Sequence, residues 1–554
     1  MLPCSDTYRQ RSPPRLLFPI RVFRPLKDVS GHFITIFHSF TLPVPLRAML
    51  VPVVAATFII SALAGVSSAQ SPAYNGICEQ ISGSISAGSG VYYKPDRLYR
   101  KGIEHFMTSS EQESSCVVEP GNTDDLGKII TILGSTRTPF AVKGGGHCSN
   151  PNGSSTEGVQ IAMYRFSDVN YNANAQTVEI GTGLIWDDVY NVLIPQGVNV
   201  VGGRTSGVGV AGFTLGGGYS WLTNQYGLTV DTVVSFELVK TDGTVVTVTD
   251  SSDSDLFWAL KGGLNNFGIV TKITLKTFPQ GQVWGGLVIY TSNKLDEVAT
   301  AVTNFAANVN DPKASIITAV NFLLTQTLVT QLIFYDGPNP PDGIFDEFLD
   351  ITSLSKDVKS RDFISLFKSS PVNLTANQRG LFQNIPVVNL TANVINAMFN
   401  ETKVKSTHPL FGNDLTSYLS LCSTGVTNSI TTPATFISYQ LEPFLPSILS
   451  HSSSASAWPP TRDVAYLPLN IDYGWLLESQ DEVLRDAARQ SAAHITQVAL
   501  DEGQQVENAP HYVNYALYDT PIEKIYGASL DKMRSVKARV DPDDVMGLTG
   551  GFKF

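Results

Sequence analysis

A single histidine and two glycine-rich segments are the parts of this sequence whose residue types and spacing best suit a chemical role. His147 follows three consecutive glycines in the segment 142–149, and a second glycine-rich segment covers residues 202–219. Because each glycine is costly to order, such dense runs are expected where the backbone must come close to another group. The imidazole of His147, neutral near physiological pH, can act as a nucleophile at such a place.

Two glycine-rich segments in one domain indicate a bound dinucleotide. Backbone N–H groups freed of side-chain bulk form a concave site for phosphate oxygens, and a backbone without Cβ atoms can lie against a flat ring. His147 could attack the methyl carbon at the 8-position of an isoalloxazine ring and tether a flavin. A Rossmann fingerprint is disfavoured, because glycine recurs through positions that would have to be helical. Ordinary loops with turn glycines would explain either segment alone, but both together less readily.

The composition limits the class of protein. The 554 residues include 38 basic and 49 acidic side chains, with 43% hydrophobic residues, 45 Gly and 31 Pro. These values exclude a disordered, collagen-like or coiled-coil chain and allow two or three domains. The net charge of −11 argues against nucleic-acid binding, which needs a concentrated basic surface. The sequence has no CxxC or CxxxH pair and no metal-ligand spacing among its other histidines, so we expect no metal.

The N-terminal residues predict a secreted protein. Residues 49–69 contain an apolar run that ends in Ser67-Ser68-Ala69, which is typical of a cleaved signal peptide. Residues 1–48 form a basic leader, for which we favour a translation start at Met49 over a functional arm. The apolar run is short for a bilayer span, although residues 33–69 together could anchor the chain in a membrane if they are not cleaved.

The cysteines and the glycosylation sequons also fit a secreted protein. Without Cys4 of the leader, four cysteines remain and allow three pairings: Cys78, Cys116, Cys148 and Cys422. We predict a Cys78–Cys116 disulfide, which would close a loop near the mature N-terminus. Four Asn-x-Ser/Thr sequons are candidate sugar acceptors, at Asn152, Asn373, Asn389 and Asn400.

The hydrophobic periodicity predicts an α+β fold. Apolar residues at helical spacing predict a helix that opens at Asn122, and a hairpin is predicted around Asp242-Gly243. Strands and helices do not alternate strictly, which disfavours a doubly wound parallel sheet. From about residue 282, longer alternating segments predict a second domain, an antiparallel sheet with helices on one face. A capping box from Ser479 to Glu482 predicts the start of a long helix that Gly503 closes.

Several motifs, in order along the chain, resemble one known family. They are Thr138–His147, Gly207–Gly212 with Gly216–Tyr219, Tyr226–Asp231, Phe257–Gly263, Asn266–Val270 and Tyr512–Tyr515. This set resembles the secreted FAD-linked oxidoreductases of the berberine bridge enzyme-like group, in the vanillyl-alcohol oxidase superfamily, also called PCMH-type. The resemblance extends from about Cys78 to the C-terminus and is densest between residues 110 and 280.

The resemblance implies a PCMH-type FAD-binding domain in two chain segments, 75–280 and 506–554, with an antiparallel-sheet substrate domain, 281–505, between them. The leader 1–48 and the signal peptide 49–69 precede these domains. FAD would be bound covalently through His147. The residues that the resemblance assigns to the cofactor are Lys143, Gly144, Gly145, Gly146, His147, Cys148, Ser149, Thr205, Gly207, Val208, Gly209, Gly212, Gly216, Gly217, Gly218, Tyr219, Asn266, Gly268, Ile269, Val270 and Asn514.

The resemblance also suggests how the flavin is attached and which residues act on the substrate. Many members use a cysteine as a second tether, and the aligned position here is Thr205, which cannot form the thioether. We therefore predict attachment through His147 alone, with Cys148 a small packed residue. A protein base would remove a substrate proton while the flavin accepts a hydride. Asp472 and Tyr512 are the candidates, alone or as a pair. In the alternative interpretation, Tyr512 only packs and Asp472 only ends a strand.

The resemblance thus implies a secreted, monomeric flavoenzyme that oxidises an alcohol-type small molecule, such as a sugar or a secondary metabolite. Dioxygen is the expected acceptor and hydrogen peroxide the expected product. The alternatives are a dehydrogenase with another electron acceptor, a non-enzymatic binding protein that keeps the fold, and a noncovalent intracellular dehydrogenase. The substrate does not follow from the sequence, because specificity depends on the shape of a pocket.

Overall fold

The computed structural model describes one pair of short strands near the N-terminus and residues 74–323, 326–371, 376–402, 434–452 and 454–554. The chain divides into two compact units, 1–69 and 70–554. In the first unit, Pro25–Lys27 pairs antiparallel with Phe33–Thr35. The predicted apolar run of the signal peptide, Cys422 and Asn373 lie outside the described residues. Within the described part, no helix combines the length and the apolar character that a membrane span requires.

A four-stranded sheet opens the second unit and precedes the first glycine-rich segment. Its strands, in the spatial order β1-β2-β4-β3, are β1 Gly90–Tyr92, β2 Cys116–Glu119, β3 Phe140–Lys143 and β4 Val159–Ala162. β2 and β3 pair parallel with β4, while β1 pairs antiparallel with β2. Because β3 ends at Lys143, the glycines that follow leave the sheet at the end of a largely buried strand.

A five-stranded antiparallel sheet follows in the order β8-β7-β9-β6-β5. Its strands are β5 Val169–Asn172, β6 Thr177–Gly181, β7 Val233–Val239, β8 Val245–Val248 and β9 Ile269–Lys276. The helices of this part of the unit are α1 Asn75–Ser84, α2 Arg97–Ile103, α3 Thr123–Ser135, α4 Trp186–Leu193, α5 Val210–Leu215, α6 Thr223–Tyr226 and α7 Ser254–Leu260.

A seven-stranded antiparallel sheet occupies the middle of the chain in the order β13-β10-β12-β11-β15-β16-β14. Its strands are β10 Val283–Thr291, β11 Ala314–Leu323, β12 Gln326–Tyr335, β13 Ser355–Arg361, β14 Arg379–Val387, β15 Ala434–Leu441 and β16 Leu467–Trp475. The helices that accompany it are α8 Leu295–Asn308, α9 Asp346–Asp350, α10 Phe363–Phe367, α11 Ala392–Thr402 and α12 Asp481–Asp501.

Successive side chains of this large sheet point to opposite faces. On one face, Ile333, Tyr439 and Ile471 belong to an apolar cluster with residues of α8, α11 and α12. On the other face, Phe334 joins a second cluster that includes Trp221, and the two ring centroids are 5.4 Å apart. The predicted antiparallel sheet with helices on one face is therefore confirmed, and its other face is turned toward the part of the unit that contains the glycine-rich segments.

The last part of the chain returns to the first. It contains α13 Ile522–Tyr526 and α14 Leu530–Val540. Asn266 donates from Nδ2 to the carbonyl of Phe552 at 3.1 Å, and the backbone N–H of Tyr512 donates to Asn384 Oδ1 of β14 at 2.9 Å. The C-terminal segment thus contacts both the glycine-rich part and the seven-stranded sheet.

Two local predictions hold. Helix α3 begins after Asn122, whose side chain accepts a hydrogen bond from the backbone N–H of Asp125 at 2.8 Å. The hairpin around Asp242-Gly243 is formed by β7 and β8, which pair antiparallel.

The predicted capping box from Ser479 to Glu482 is wrong. Residues Glu478–Gln480 form a 3-10 turn, and α12 starts at Asp481 without a side-chain cap, although Gly503 closes the helix with a φ of +82° as predicted. The carboxylate of Asp481 binds Arg379 of β14 at 2.6 Å, so tertiary ion pairing fixes the start of the helix.

Cys78 and Cys116 form the predicted disulfide, with their Cα atoms 6.2 Å apart and 38 residues apart in sequence. The bridge joins α1 to β2, the strand that starts at Cys116. It therefore attaches the N-terminal helix of the second unit to the four-stranded sheet.

Replacing both Cys78 and Cys116 by Ser should lower the free energy of unfolding by about 4 kcal/mol, because the bridge restricts a long loop in the unfolded chain. Thermal unfolding against the wild type measures the effect. Cys148→Ser is the control, because Cys148 is a free cysteine. A double variant that unfolds at the wild-type temperature would contradict this prediction.

Candidate active site

The two glycine-rich segments meet backbone to backbone. A Cβ atom built on Gly145 would lie 2.4 Å from the Cα atom of Gly209, and one built on Gly209 would lie 2.6 Å from the amide nitrogen of Gly145. Neither position has room for a side chain. Gly146 has a φ of +75°, which also favours glycine. The two runs that are separate in sequence therefore form one surface of bare main chain.

Hydrogen bonds fix the second segment ahead of α5. The backbone N–H of Trp186, at the start of α4, donates to the carbonyl of Val208 at 3.0 Å. The carboxylate of Asp187 accepts from Ser206 Oγ at 2.5 Å and from the N–H of Gly207 at 2.8 Å. The backbone that reaches the contact with Gly145 is thus held by the first turn of α4, whose inner face is buried.

His147 lies two residues beyond the contact between the segments. Its imidazole stacks on Phe106, with ring centroids 4.1 Å and planes 15° apart, and lies parallel to Phe382 of β14 at 6.0 Å and 1°. Its Nε2 atom is buried without a hydrogen-bond partner. Burial lowers the pKa of His147 to about 4, so the ring is neutral at physiological pH. A neutral imidazole with an unpartnered ring nitrogen is suited to act as a nucleophile.

Polar groups lie beside Phe382 on the same face of the large sheet. Asp472 of β16 is the register partner of Phe382 on β14 and of Ser438 on β15. Asp472 Oδ1, Ser438 Oγ and Asn470 Oδ1 are buried and have no hydrogen-bond partner. Burial raises the pKa of Asp472 to about 8. All three atoms can therefore accept hydrogen bonds from a bound molecule, and the Ser438 hydroxyl and the protonated Asp472 carboxyl group can also donate.

Tyr512 and Asn514 reach the site from the C-terminal segment. Asn514 Nδ2 donates to the phenol oxygen of Tyr512 at 3.0 Å and to the carbonyl of Phe213 in α5 at 3.2 Å. A Cβ atom on Gly216 would lie 2.3 Å from Asn514 Oδ1, so Asn514 packs directly on the second glycine-rich segment. Burial raises the pKa of Tyr512 to about 12, and the hydrogen bond from Asn514 opposes this shift. Tyr512 is therefore a protonated phenol at neutral pH.

The structure does not join the predicted pair Asp472 and Tyr512 directly. Within the described part of the chain, no hydrogen bond connects the two side chains. Both lie along one face of the sheet, since the N–H of Tyr512 bonds to Asn384, and Asn384 is the register partner of Asn470. Asn470 is two residues from Asp472 on β16.

A narrow cleft adjoins Tyr512, and its enclosed part has room for about one water molecule. Tyr219 and Trp458 form an aromatic wall with Tyr512, at centroid distances of 4.9 Å and 5.1 Å. Asn384 and Pro386 of β14 also line the cleft. Its walls combine apolar side chains with the polar groups of Asn384, Tyr466 and Tyr512.

A buried ion pair next to Tyr512 was not predicted from the sequence. Arg204 Nη2 lies 2.6 Å from Glu442 Oε2, with side-chain exposures of 8% and 1%. The phenol of Tyr515 accepts from Arg204 at 3.0 Å and donates to Glu442 at 3.1 Å, and its ring contacts that of Tyr512 at 5.0 Å. An arginine inside a glycine-rich segment is the one sequence feature that could have indicated this pair.

The side chains of some predicted cofactor residues form hydrogen bonds with other parts of the protein. The buried ammonium of Lys143 donates to the phenol of Tyr164 at 2.6 Å, and Asn266 bonds to the C-terminal segment. The thiol of Cys148 packs against Gly153, and burial raises its pKa, so it is a protonated packed residue. The other predicted residues lie in the two glycine-rich segments or at the start of β9: Gly144, Ser149, Thr205, Gly212, Gly217, Gly218, Gly268, Ile269 and Val270.

These residues fit a bound flavin. The main chain at Gly145 and Gly209 has no side chains that would keep a flat ring away from it. The adjacent imidazole of His147 has a buried nitrogen without a hydrogen-bond partner. The arrangement gives no comparable indication of a metal. Among the described residues, no group of three or more His, Cys, Asp or Glu could hold one.

Sequence comparison identifies an FAD binding domain over residues 114–249, which include both glycine-rich segments. An uncharacterized FAD-linked oxidoreductase of Arthroderma benhamiae is 36% identical over 305 residues, which are 51% of this chain and 61% of that protein. An FAD-dependent monooxygenase of Emericella nidulans is 28% identical over 495 residues, 85% of this chain and 97% of that protein. The chain spans 47% to 61% of the length of the first curated relatives that it matches.

Comparison with solved structures shows the same fold. The BBE-like 1 protein of Physcomitrella patens matches with a TM-score of 0.65 at 19% identity, covering 84% of this chain and 97% of that one. Glucooligosaccharide oxidase of Acremonium strictum matches with a TM-score of 0.66 at 19% identity, covering 86% and 98%. That oxidase carries a 6-S-cysteinyl, 8α-N1-histidyl FAD. The chain therefore contains an FAD-binding domain, has the berberine bridge enzyme-like fold, and is related in sequence to fungal FAD-linked oxidoreductases, as its motifs predicted.

Proposed function

We propose that this protein is a secreted oxidoreductase that holds FAD covalently through His147 and oxidises an alcohol-type substrate, a sugar or a secondary metabolite. The observation that carries the proposal is the neutral imidazole of His147, whose buried Nε2 has no partner next to the contact of two glycine-rich segments. When bound, the flavin supplies a two-electron acceptor for a substrate hydride.

The proposed tether is a single bond from the imidazole to the methyl group at the 8-position of the flavin. One C–H bond of the methyl group and the N–H bond of the imidazole break, and one N–C bond forms. The two electrons and two protons that are released pass to dioxygen, which becomes hydrogen peroxide. A histidyl FAD in glucooligosaccharide oxidase supports this chemistry. Thr205 cannot form a thioether, and the Cys148 thiol is packed against Gly153, which supports a single tether.

We assign the removal of the substrate hydroxyl proton to Asp472. Its Oδ1 has no partner, and burial raises the pKa of Asp472 to about 8, so the carboxylate that accepts the proton forms as the pH approaches 8. Tyr512 stays protonated and donates a hydrogen bond that orients the substrate oxygen. Ser438 Oγ and Asn470 Oδ1, also unpartnered on the same face, would hold further hydroxyl groups of the substrate.

Secretion is supported by the signal-peptide pattern of residues 49–69 and by the Cys78–Cys116 disulfide, a bond typical of oxidising compartments. Three sequon asparagines are exposed, at Asn152, Asn389 and Asn400. Recovery of the protein from culture medium with sugars on these asparagines would agree with the proposal, and retention in the cytosol would contradict it.

An oxygen-uptake screen of the purified holoprotein over sugars, phenols and alkaloids tests the activity. We expect one class to consume oxygen, release hydrogen peroxide and yield a product lighter by two hydrogens. A product heavier by one oxygen would instead make the protein a monooxygenase, the activity named for its Emericella nidulans relative. Turnover with a dye but not with oxygen would indicate a dehydrogenase. No turnover by the flavin-loaded protein with any substrate would favour a binding protein.

His147→Ala should remove covalent flavin, because no other side chain is proposed to hold it. Acid-precipitated wild-type protein should keep its yellow colour, and the variant should yield a colourless pellet and a yellow supernatant. Cys148→Ala is the control and should stay yellow. Full colour retention in the His147→Ala pellet would place the tether on another residue.

Tyr512→Phe should keep the covalent flavin but lower kcat/KM by about 100-fold, because a hydrogen bond to the reacting oxygen is lost. The measurement is oxygen uptake with a substrate from the screen. Tyr526→Phe, which removes a buried phenol bonded to the carbonyl of Gly262, is the control. Equal kcat/KM for the wild type and Tyr512→Phe would show that Tyr512 only packs.

Asp472→Asn should change how stability depends on pH. An aspartate titrates at 3.8 when unfolded, whereas burial raises the pKa of Asp472 to about 8 in the folded protein. Between these values the folded state binds the extra proton. The wild type should therefore lose stability as the pH rises from about 4 to about 8, by at most about 1.4 kcal/mol per pH unit.

The amide that replaces the carboxyl group in Asp472→Asn does not titrate, so the unfolding free energy of this variant should rise relative to the wild type over this range. Chemical unfolding at about pH 5 and about pH 7.5 measures the difference. Asp342→Asn, on an exposed loop, is the control. A difference that does not change with pH would contradict a buried, proton-binding carboxyl group.

A further inference from the structure

We propose that Phe106 is a positioning residue that fixes the plane of the His147 imidazole for attachment of the flavin. The inference rests on the proposed tether. Phe106 belongs to none of the motifs that carry the family resemblance, and it precedes His147 by 41 positions in the chain.

The geometry of the rings supports this role. The ring of Phe106 covers one face of the imidazole at a centroid distance of 4.1 Å and 15° between planes. Phe382 lies parallel to the imidazole within 1°, at the longer distance of 6.0 Å. Stacked aromatic pairs at such distances are favourable beyond the area that they bury. Phe106 is therefore the ring in close contact with the imidazole, and Phe382 shares its orientation.

The backbone of Phe106 is held from two sides. Its N–H donates to the carbonyl of Gly146 at 2.9 Å, and its own carbonyl accepts from the N–H of Asn377 at 2.9 Å. The next residues continue this contact, since Ser109 Oγ donates to the carbonyl of Gly380 in β14 at 2.8 Å. Phe106 is thus anchored to the loop of His147 and to the edge of the large sheet.

A fixed ring plane matters because the attacking lone pair of an imidazole lies in the plane of the ring. Rotation of the ring about its side-chain bonds would aim the nitrogen away from the flavin methyl group. In the tethering step, the methyl C–H and the imidazole N–H break, the N–C bond forms, and dioxygen takes up two electrons and two protons. Misplacement of a reacting atom by about 1 Å can slow such a step by about 100-fold.

Two substitutions at Phe106 distinguish the effect of the flat ring from the effect of side-chain volume. Phe106→Leu keeps an apolar side chain but removes the flat surface, whereas Phe106→Tyr keeps the ring. The matched control is Phe278→Leu. Phe278 is also half-buried and stacks on Tyr226 at 3.7 Å and 14°, so it has a comparable ring contact with a different partner.

The experiment follows the ratio of acid-stable flavin to total bound flavin during aerobic incubation of each full-length variant with excess FAD, together with the thermal unfolding temperature. We expect Phe106→Leu to acquire acid-stable flavin about tenfold more slowly than the wild type, with bound FAD still present. Phe106→Tyr and Phe278→Leu should match the wild type. The ratio reports attachment and not stability, because a merely structural loss would lower total bound flavin and the unfolding temperature together.

The outcomes distinguish the two proposals. No acid-stable flavin in the wild type would overturn the His147 tether and this inference with it. Acid-stable flavin in the wild type that forms equally fast in Phe106→Leu would overturn the role of Phe106 and leave the tether in place. Equal slowing of flavin attachment in Phe106→Leu and Phe278→Leu would also overturn the role of Phe106, because the effect would then follow from lost packing.

Discussion

The contact between Gly145 and Gly209 determines how the rest of the site is arranged. Two backbone segments can approach this closely only without side chains, so the contact fixes the first loop, with His147, relative to the segment that leads into α5. The large sheet supplies Phe382 and Asp472 from the face that is turned toward the glycine-rich segments, and the C-terminal segment supplies Tyr512. The two glycine-rich segments, the large sheet and the C-terminal segment therefore converge at one place.

Burial sets the charge of the groups that meet there. It lowers the pKa of His147 and raises the pKa values of Asp472 and Tyr512, so all three shifts favour the neutral form. Arg204 and Glu442 carry opposite charges, which neutralise each other within the buried ion pair. In a buried site of this kind, charge that develops on a substrate would interact more strongly with nearby hydrogen-bonding groups than it would in water. The proposed transfer of a proton and a hydride would take place in this environment.

The sequence alone was sufficient for the features that depend on local patterns. The glycine runs are visible directly in the sequence, and the antiparallel sheet follows from alternation. The Cys78–Cys116 bridge was predicted from three possible pairings and is confirmed. The motifs also indicated the cofactor, since their order along the chain is specific.

The features that the sequence did not predict depend on tertiary contacts. Phe106 against His147 and Arg204 with Glu442 join residues far apart in the chain, and no local pattern marks them. The capping box before α12 failed for the same reason, because Asp481 pairs with Arg379 of a distant strand. Pairing of Asp472 with Tyr512 was suggested by the motifs, whereas the register places these residues along one sheet face without a direct bond.

Peptide mapping of the flavin tests the central claim most directly. Proteolysis of the acid-denatured holoprotein, followed by tandem mass spectrometry of the yellow peptide, locates the attached group on one residue. The account predicts FAD, less two hydrogens, on His147 within the first glycine-rich segment. Flavin on a peptide that lacks His147, or release of all flavin as free FAD, would contradict it.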